Sequence, residues 1–248
     1  MYRTVDALIL REVRFREADR VLTVLTADKG KMTLTAHGAL GKKSKMTAAT
    51  QQLTWSELSL FEKNGRYSVR EGVVKEAFQG LRRDLEKLAL GSFFAECLEL
   101  FATEDQPEAE LTQLGLNCLY ALSEGLAEPQ KIKSAFELRL MSIEGYAPAV
   151  ESCAECGRED IQDPLFLTEE GQIVCRNCRK QGWGLPLTEP ALAVFRYILQ
   201  APAKRLLSFR LLDTDMEKLA AVSESWLLKC SGRSLPTLVY YKNIKSSE

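Results

Sequence analysis

Two cysteine pairs, Cys153-x2-Cys156 and Cys175-x2-Cys178, constrain this chain more than any other feature. Each CxxC turn offers two sulfurs on one side, and a returning hairpin brings the pairs together around one ion, the spacing of a zinc ribbon. Four protein ligands fill a tetrahedral shell, so one Zn2+ held by these cysteines would be structural, with no position open to substrate. Gly157 follows the first knuckle, Asn177 lies inside the second, and Gln172-Ile173-Val174 reads as the strand that delivers the second pair. Redox thiols or a disulfide are the competing uses. The start, MYRTVDALILREVRF, carries charges where a secretory signal would be apolar, and no run approaches the roughly 18 apolar residues of a membrane span. A reducing cytoplasm is therefore the expected address, with no membrane partner, and it disfavours disulfides. Cys97, Cys118 and Cys230 sit in apolar helical patterns and read as small core residues.

Upstream of the cysteines the pattern changes twice. The first eighty residues read as strands at Val5–Phe15, Arg20–Ala27 and Lys31–Ala36, with Asp28-Lys29-Gly30 as a hairpin turn. A polar loop, His37–Lys45, and a short helix near Thr47–Gln52 follow. Strands at Leu53–Phe61 and Tyr67–Lys75 flank Asn64-Gly65, a strong two-residue turn signal. Three strands, a helix and two strands form the order of an OB barrel, a fold often used on nucleic acid. From Leu81 the period becomes helical, with Leu81, Leu85, Leu88 and Phe93 on one stripe running on to Phe101. Further helices are expected at Glu108–Gly125, Pro129–Gly145, Pro190–Gln200 and about Asp215–Cys230, before a tail ending LVYYKNIKSSE. The expected fold is α+β and multidomain: an N-terminal OB-fold β-barrel, then a helical domain with an inserted four-cysteine zinc ribbon. Its divisions are 1–79 for the barrel, 80–149 and 184–248 for the two parts of the helical domain, and 150–183 for the ribbon. With 248 residues, 46% of them hydrophobic, the chain has enough apolar material for such cores.

The net charge of -1 conceals a segregation along the chain. Residues 1–80 carry 14 Lys and Arg against 9 Asp and Glu, whereas residues 81–150 carry 6 against 12. A basic barrel ahead of an acidic helical segment suggests a module that faces a polyanion. Candidate phosphate contacts are Arg14, Arg16 and Arg20 at the first strand connection, Lys29 and Lys31 at the next, and Lys42, Lys43 and Lys45 in the loop. Arg205 and Arg210 could extend the track in the basic C-terminal segment. Such contacts give steep salt dependence and little sequence preference. Phe15 is the one aromatic on the first two strands, so backbone binding is favoured over base stacking there. The single histidine, His37, leaves a triad with one possible member. The segment Ala36–Ser44 fails the phosphate-loop pattern, with Ala36 at the first glycine and Lys43 at the hydroxyl position. No active site emerges, and the protein is not expected to be an enzyme.

Three stretches carry a family resemblance: R16-E-A-D-R20 with the following V21-L-T-V-L-T-A-D-K-G-K31, the loop G38-A-L-G-K-K-S44, and F136-E-L-R-L-M-S-I-E-G-Y-A-P148 leading into C153-A-E-C156-G157. Over nearly its whole length the chain resembles the RecO family of bacterial recombination and repair mediators. The loop departs from the family at Leu40-Gly41, where two arginines are usual, and carries its charge on Lys42, Lys43 and Lys45. The resemblance implies binding of single- and double-stranded DNA and annealing of complementary strands coated by single-strand-binding protein, whose C-terminal tail would dock on the helical domain. It also implies a partner, RecR, for loading RecA recombinase, and a cytoplasmic, nucleoid-associated location. A zinc-ribbon, OB-fold transcription or translation factor is the alternative.

Overall fold

The computed structural model describes residues 1–41, 44–180 and 184–246. Five strands, β1 (Tyr2–Phe15), β2 (Asp19–Thr26), β3 (Gly30–Ala36), β4 (Trp55–Lys63) and β5 (Arg66–Glu76), close into a barrel in the order β1-β2-β3-β5-β4. All pairings are antiparallel except β3 with β5, which is parallel. Closure depends on the long β1, whose first half pairs with β4 and second half with β2, the changeover falling at a register shift between Ile9 and Arg11. Alternation then does the rest: Ala7, Ile9, Leu22, Val24, Leu34, Leu58, Leu60 and Val69 point inward and form the barrel core. This is the OB-fold barrel expected from the strand order.

The segment between β3 and β4 differs from expectation. Residues Thr47–Gln52 form successive turns rather than a helix; the bonds Thr50 N→Met46 O and Gln51 N→Ala48 O are not propagated. The segment still packs, since Ala49 is buried in the barrel core. The β2–β3 turn is also constrained: Gly30 has φ +59°, and a Cβ there would lie 2.3 Å from the Thr103 carbonyl oxygen.

The chain divides into two compact units, Met1–Leu126 with Leu235–Glu248, and Ala127–Ser234. In the first, α1 (Leu85–Phe101) and α2 (Ala109–Glu124) pack with the barrel strands, and α6 (Pro236–Lys245) packs on α1. Helix α6 lies in the C-terminal tail that the hydrophobic pattern leaves unassigned; Pro236 opens it, as proline at a first helical position does. Leu85, placed on the buried stripe by period, is 57% exposed. Asp84 caps α1 by accepting from Lys87 N, which starts the helix anew after a 3₁₀ turn holding Leu81 inward.

The second unit joins α3 (Pro129–Ile143), α4 (Glu189–Gln200) and α5 (Asp213–Ser231) to a small sheet ordered β7-β6-β8, with β6 Leu165–Leu167, β7 Gln172–Val174 and β8 Leu185–Pro186. Phe166, fully buried in β6, meets Phe195 of α4 at 5.8 Å and the edge of Trp226 of α5 at 5.9 Å. Between α3 and α5, Lys133 Nζ donates to Glu137 Oε1 at 2.6 Å and Glu224 Oε2 at 2.9 Å, and Ser223 donates to Glu137 Oε2 at 2.6 Å. Among the described residues no helix is long and apolar enough to cross a membrane.

Candidate metal centre and nucleic-acid interface

Backbone turns aim the cysteines. Gly157 N donates to Cys153 O at 2.8 Å, with Gly157 at φ +70°, and Cys178 N donates to Cys175 O at 3.0 Å. Ala154 N donates to Ile173 O at 2.9 Å, tying the first knuckle to β7, the strand expected to deliver the second. The four sulfurs of Cys153, Cys156, Cys175 and Cys178 consequently lie within 4.8 Å of one another. Metal–sulfur bonds of about 2.3 Å in a tetrahedron set sulfurs about 3.8 Å apart, so the cluster fits one ion with little adjustment. Cys156 Sγ and Cys175 Sγ are already 3.9 Å apart.

The electrostatics favour a thiolate at Cys153. Burial opposes its ionisation, but the backbone amides of Cys156, Cys175 and Glu155 outweigh it and bring the pKa down to about 6. Cys178 is pushed up to about 12, first by its contacts with the Cys156 and Cys175 sulfurs. One charge in the cluster makes the next costly, which a divalent cation would reverse. Arg196 of α4 holds the approach to the knuckle, donating from Nε to Val150 O at 2.8 Å and from Nη2 to Glu151 O at 2.7 Å. Sequence spacing carries no sign of this clamp. Cys97 and Cys118 are buried in helices, as their apolar settings imply, and Cys230 is partly buried.

On the barrel, the β1–β2 turn and the β3–β4 loop are bound together. Leu40 N donates to Ala18 O at 2.9 Å, Gly38 N donates to Asp19 Oδ1 at 2.8 Å, and His37 Nδ1 lies 2.9 Å from Asp19 Oδ2. The Gly38 amide first, and His37 next, hold the Asp19 carboxyl below its ordinary value. His37 thus serves as a loop tether. Exposed Arg14 and Arg16 stand at this junction, Arg16 at φ +57° with its guanidinium over the Phe15 ring at 5.1 Å. Lys45 is exposed in the same loop, whereas Lys42 and Lys43 lie outside the described residues.

Other members of the basic set are placed differently. Arg20 is only 7% exposed: it donates to Thr47 O at 3.0 Å and Thr50 Oγ1 at 2.9 Å and pairs with Glu12 at 3.2 Å. It braces the turns after β3 instead of facing solvent, because it shares the inward alternation of Leu22 and Val24 on β2 and is covered by Thr47 and Thr50. Lys29 and Lys31 sit at the other end of β2, and Lys31 Nζ donates to Glu99 O at 3.0 Å. Arg205 and Arg210 are exposed in the second unit. A set of outer-face cations missing from the sequence reading, Lys63, Arg66 and Arg70, flanks the β4–β5 turn; its signal was the Asn64-Gly65 turn with a cation on either side.

An OB barrel with a basic edge, joined to helices that carry a four-sulfur centre, defines a class of proteins that handle nucleic acid. Comparisons with known proteins narrow it. The model described as recombination protein O N terminal matches residues 1–78, and that described as recombination protein O C terminal matches residues 82–238. The DNA repair protein RecO of Acetivibrio thermocellus is 32% identical over 244 residues, covering 98% of this chain and 97% of the relative. That of Desulforudis audaxviator is 34% identical over 208 residues, covering 83% and 82%, and that of Symbiobacterium thermophilum 26% over 247, covering 98% of each. The chain belongs to the RecO family of DNA repair proteins.

Proposed function

We propose that this protein is a recombinational repair mediator that binds single- and double-stranded DNA through phosphates and anneals complementary strands coated by single-strand-binding protein. With RecR it helps load RecA, and it catalyses no bond chemistry itself. The observation that carries this reading is the junction of the β1–β2 turn with the β3–β4 loop, which binds the turn flanked by Arg14 and Arg16 to the loop that bears Lys45 and whose sequence also contains Lys42 and Lys43. Phosphate contacts of this kind hold a strand without covering its base edges, and exposed base edges are what a second strand must meet. Lys29, Lys31, Arg205 and Arg210 would act as secondary contacts. Arg20 belongs to the scaffold.

In this reading the four cysteines hold one structural zinc ion, which fixes the ribbon to α4 and α5 and leaves no position for chemistry. The functional divisions are the barrel at 1–79, the helical domain at 80–149 and 184–248, and the ribbon at 150–183, with the helical domain receiving the tail of single-strand-binding protein. The protein works in the cytoplasm, at the nucleoid. The test mixes two complementary labelled oligonucleotides, precoated with single-strand-binding protein, and follows pairing across a salt series. Nucleotide-independent annealing that fades with salt is expected. Binding without annealing would overturn the mediator role in favour of a transcription or translation factor, and no binding at low salt would overturn the interface.

A further inference from the structure

The outer face of the barrel around the β4–β5 turn has no role in the phosphate-binding edge. By register, Tyr2 of β1 lies opposite Phe61 of β4, Phe61 opposite Ser68 of β5, and Lys63 opposite Arg66, so all point outward on one face. Arg70 falls in the register shift of β5 between the pairs Leu60↔Val69 and Ser59↔Glu71. A bulge re-aims the side chain it carries. Here the Arg70 guanidinium lies 5.0 Å from the centre of the Phe61 ring, and the Tyr2 and Phe61 rings are 5.2 Å apart with 52° between their planes. Tyr2 is 72% exposed, so its ring is open to solvent beside Phe61.

Charge narrows the ligand. Lys63, Arg66 and Arg70 form no ion pair among the described residues. The same face turns acidic farther along the strands, at Glu57 and Glu71, and there Lys75 is already paired with Asp6 at 2.7 Å. The cationic and aromatic part is therefore a patch confined to the turn end. Rings supply a surface that any base can stack on, and the flanking cations neutralise the phosphates on either side of it. A protein partner with an acidic surface would use the cations but would gain little from the tilted ring pair.

We propose that Tyr2, Phe61 and Arg70, flanked by Lys63 and Arg66, form a stacking site for the bases of single-stranded nucleic acid, separate from the phosphate-binding edge. This rests on the DNA-binding reading above and adds a base-dependent contact to it. A strand held here would be distinguished from duplex, whose bases are already stacked.

The experiment compares the full chain with the double variant Tyr2→Leu/Phe61→Leu, which keeps apolar bulk, and with Arg70→Gln. Each is titrated against a poly-dT oligonucleotide, an abasic oligonucleotide of equal length, and a duplex. The double variant should bind poly-dT about fivefold or more weakly, with the salt slope unchanged, since stacking is electrically neutral. Its affinity for the abasic strand and the duplex should equal that of the parent, which also reports that the barrel is intact. Undiminished poly-dT affinity would overturn the proposal and leave the patch to a protein partner. An equal loss on the abasic strand would overturn it too, because the rings would then support the fold. If the parent binds none of the three, the DNA-binding reading itself falls.

Discussion

The barrel and the ribbon solve the same problem of scale in opposite ways. The barrel closes five strands of 7 to 14 residues around an inner set of aliphatic side chains, so its stability comes from apolar burial. The ribbon has two strands of only 3 residues each, too short to enclose a core, and is tied down by Phe166, the Arg196 clamp and its four sulfurs. The barrel's core is built from its own side chains; in the proposed reading the ribbon draws the final share of its stability from a metal held by its four sulfurs. The consequences of damage should therefore be local.

The largest effect expected is loss of the ion. Structural zinc supplies apparent binding energies of about 10–16 kcal/mol in small zinc domains, so a chelator, or Cys175→Ser, should abolish hydrogen-exchange protection across 150–180. Protection in β1–β5 should persist. Uniform loss of protection would break the distinction between the two regions, and metal analysis finding no zinc in the native protein would remove its basis.

Next in size is the buried charge cluster between α3 and α5. Burial disfavours the Lys133 ammonium, but Glu137 and Glu224 outweigh it and raise its pKa, keeping it charged. Lys133→Met would strand Glu137, which is fully buried, at a cost of about 3–5 kcal/mol at neutral pH. The sign of the pH dependence follows. Without the lysine, burial leaves Glu137 with a raised pKa, so the variant's stability is retained below the ordinary glutamate range and lost as pH rises through the folded value. Denaturant titrations at mildly acidic and neutral pH would show it; a variant insensitive to pH would mean that the carboxylate finds water.

A finer comparison uses one methylene in each region. Ile9 in the barrel and Ile173 in the ribbon are both fully buried, and Ile→Val at either should cost about 0.5–1.5 kcal/mol in the metal-loaded protein. After chelation the Ile9 cost should remain measurable while the Ile173 cost disappears, because its surroundings are then unfolded. Thermal melts of the four combinations would decide; equal persistence of both would show that the ribbon keeps its packing without metal.

The features legible in sequence were those written as local spacing or alternation. The CxxC interval gave the cluster of four sulfurs, and the alternation with its Asn64-Gly65 and Asp28-Lys29-Gly30 turns gave the barrel. What escaped depends on contacts distant in sequence. Arg20 and Arg14 look alike in the chain, yet only closure of the barrel decides which is buried. The aim of Arg70 depends on a register shift against β4, and the Arg196 clamp joins residues 45 apart. Helix α6 was missed for another reason: its ten residues leave Val239 and Tyr240 exposed, so no clean apolar stripe marks it, and only Pro236 announced its start.

The smallest effect separates the regions by charge. Arg16 is exposed at the junction of the two barrel loops, and Arg176 is exposed on the ribbon, where it pairs with Asp163 at 3.4 Å. Both are surface arginines, so neither substitution to glutamine should change stability by more than a few tenths of a kcal/mol. Their effects on DNA binding should differ. A phosphate contact releases counterions on binding, so Arg16→Gln should lower the magnitude of the salt slope by about one at most. Arg176→Gln should leave the slope unchanged, because its charge is offset by Asp163 and the ribbon is tied to folding rather than to the polyanion. Affinities measured over a salt series for both variants test this directly: equal slopes would put the strand on both regions, and a slope changed by Arg176→Gln alone would move the interface from the barrel to the ribbon.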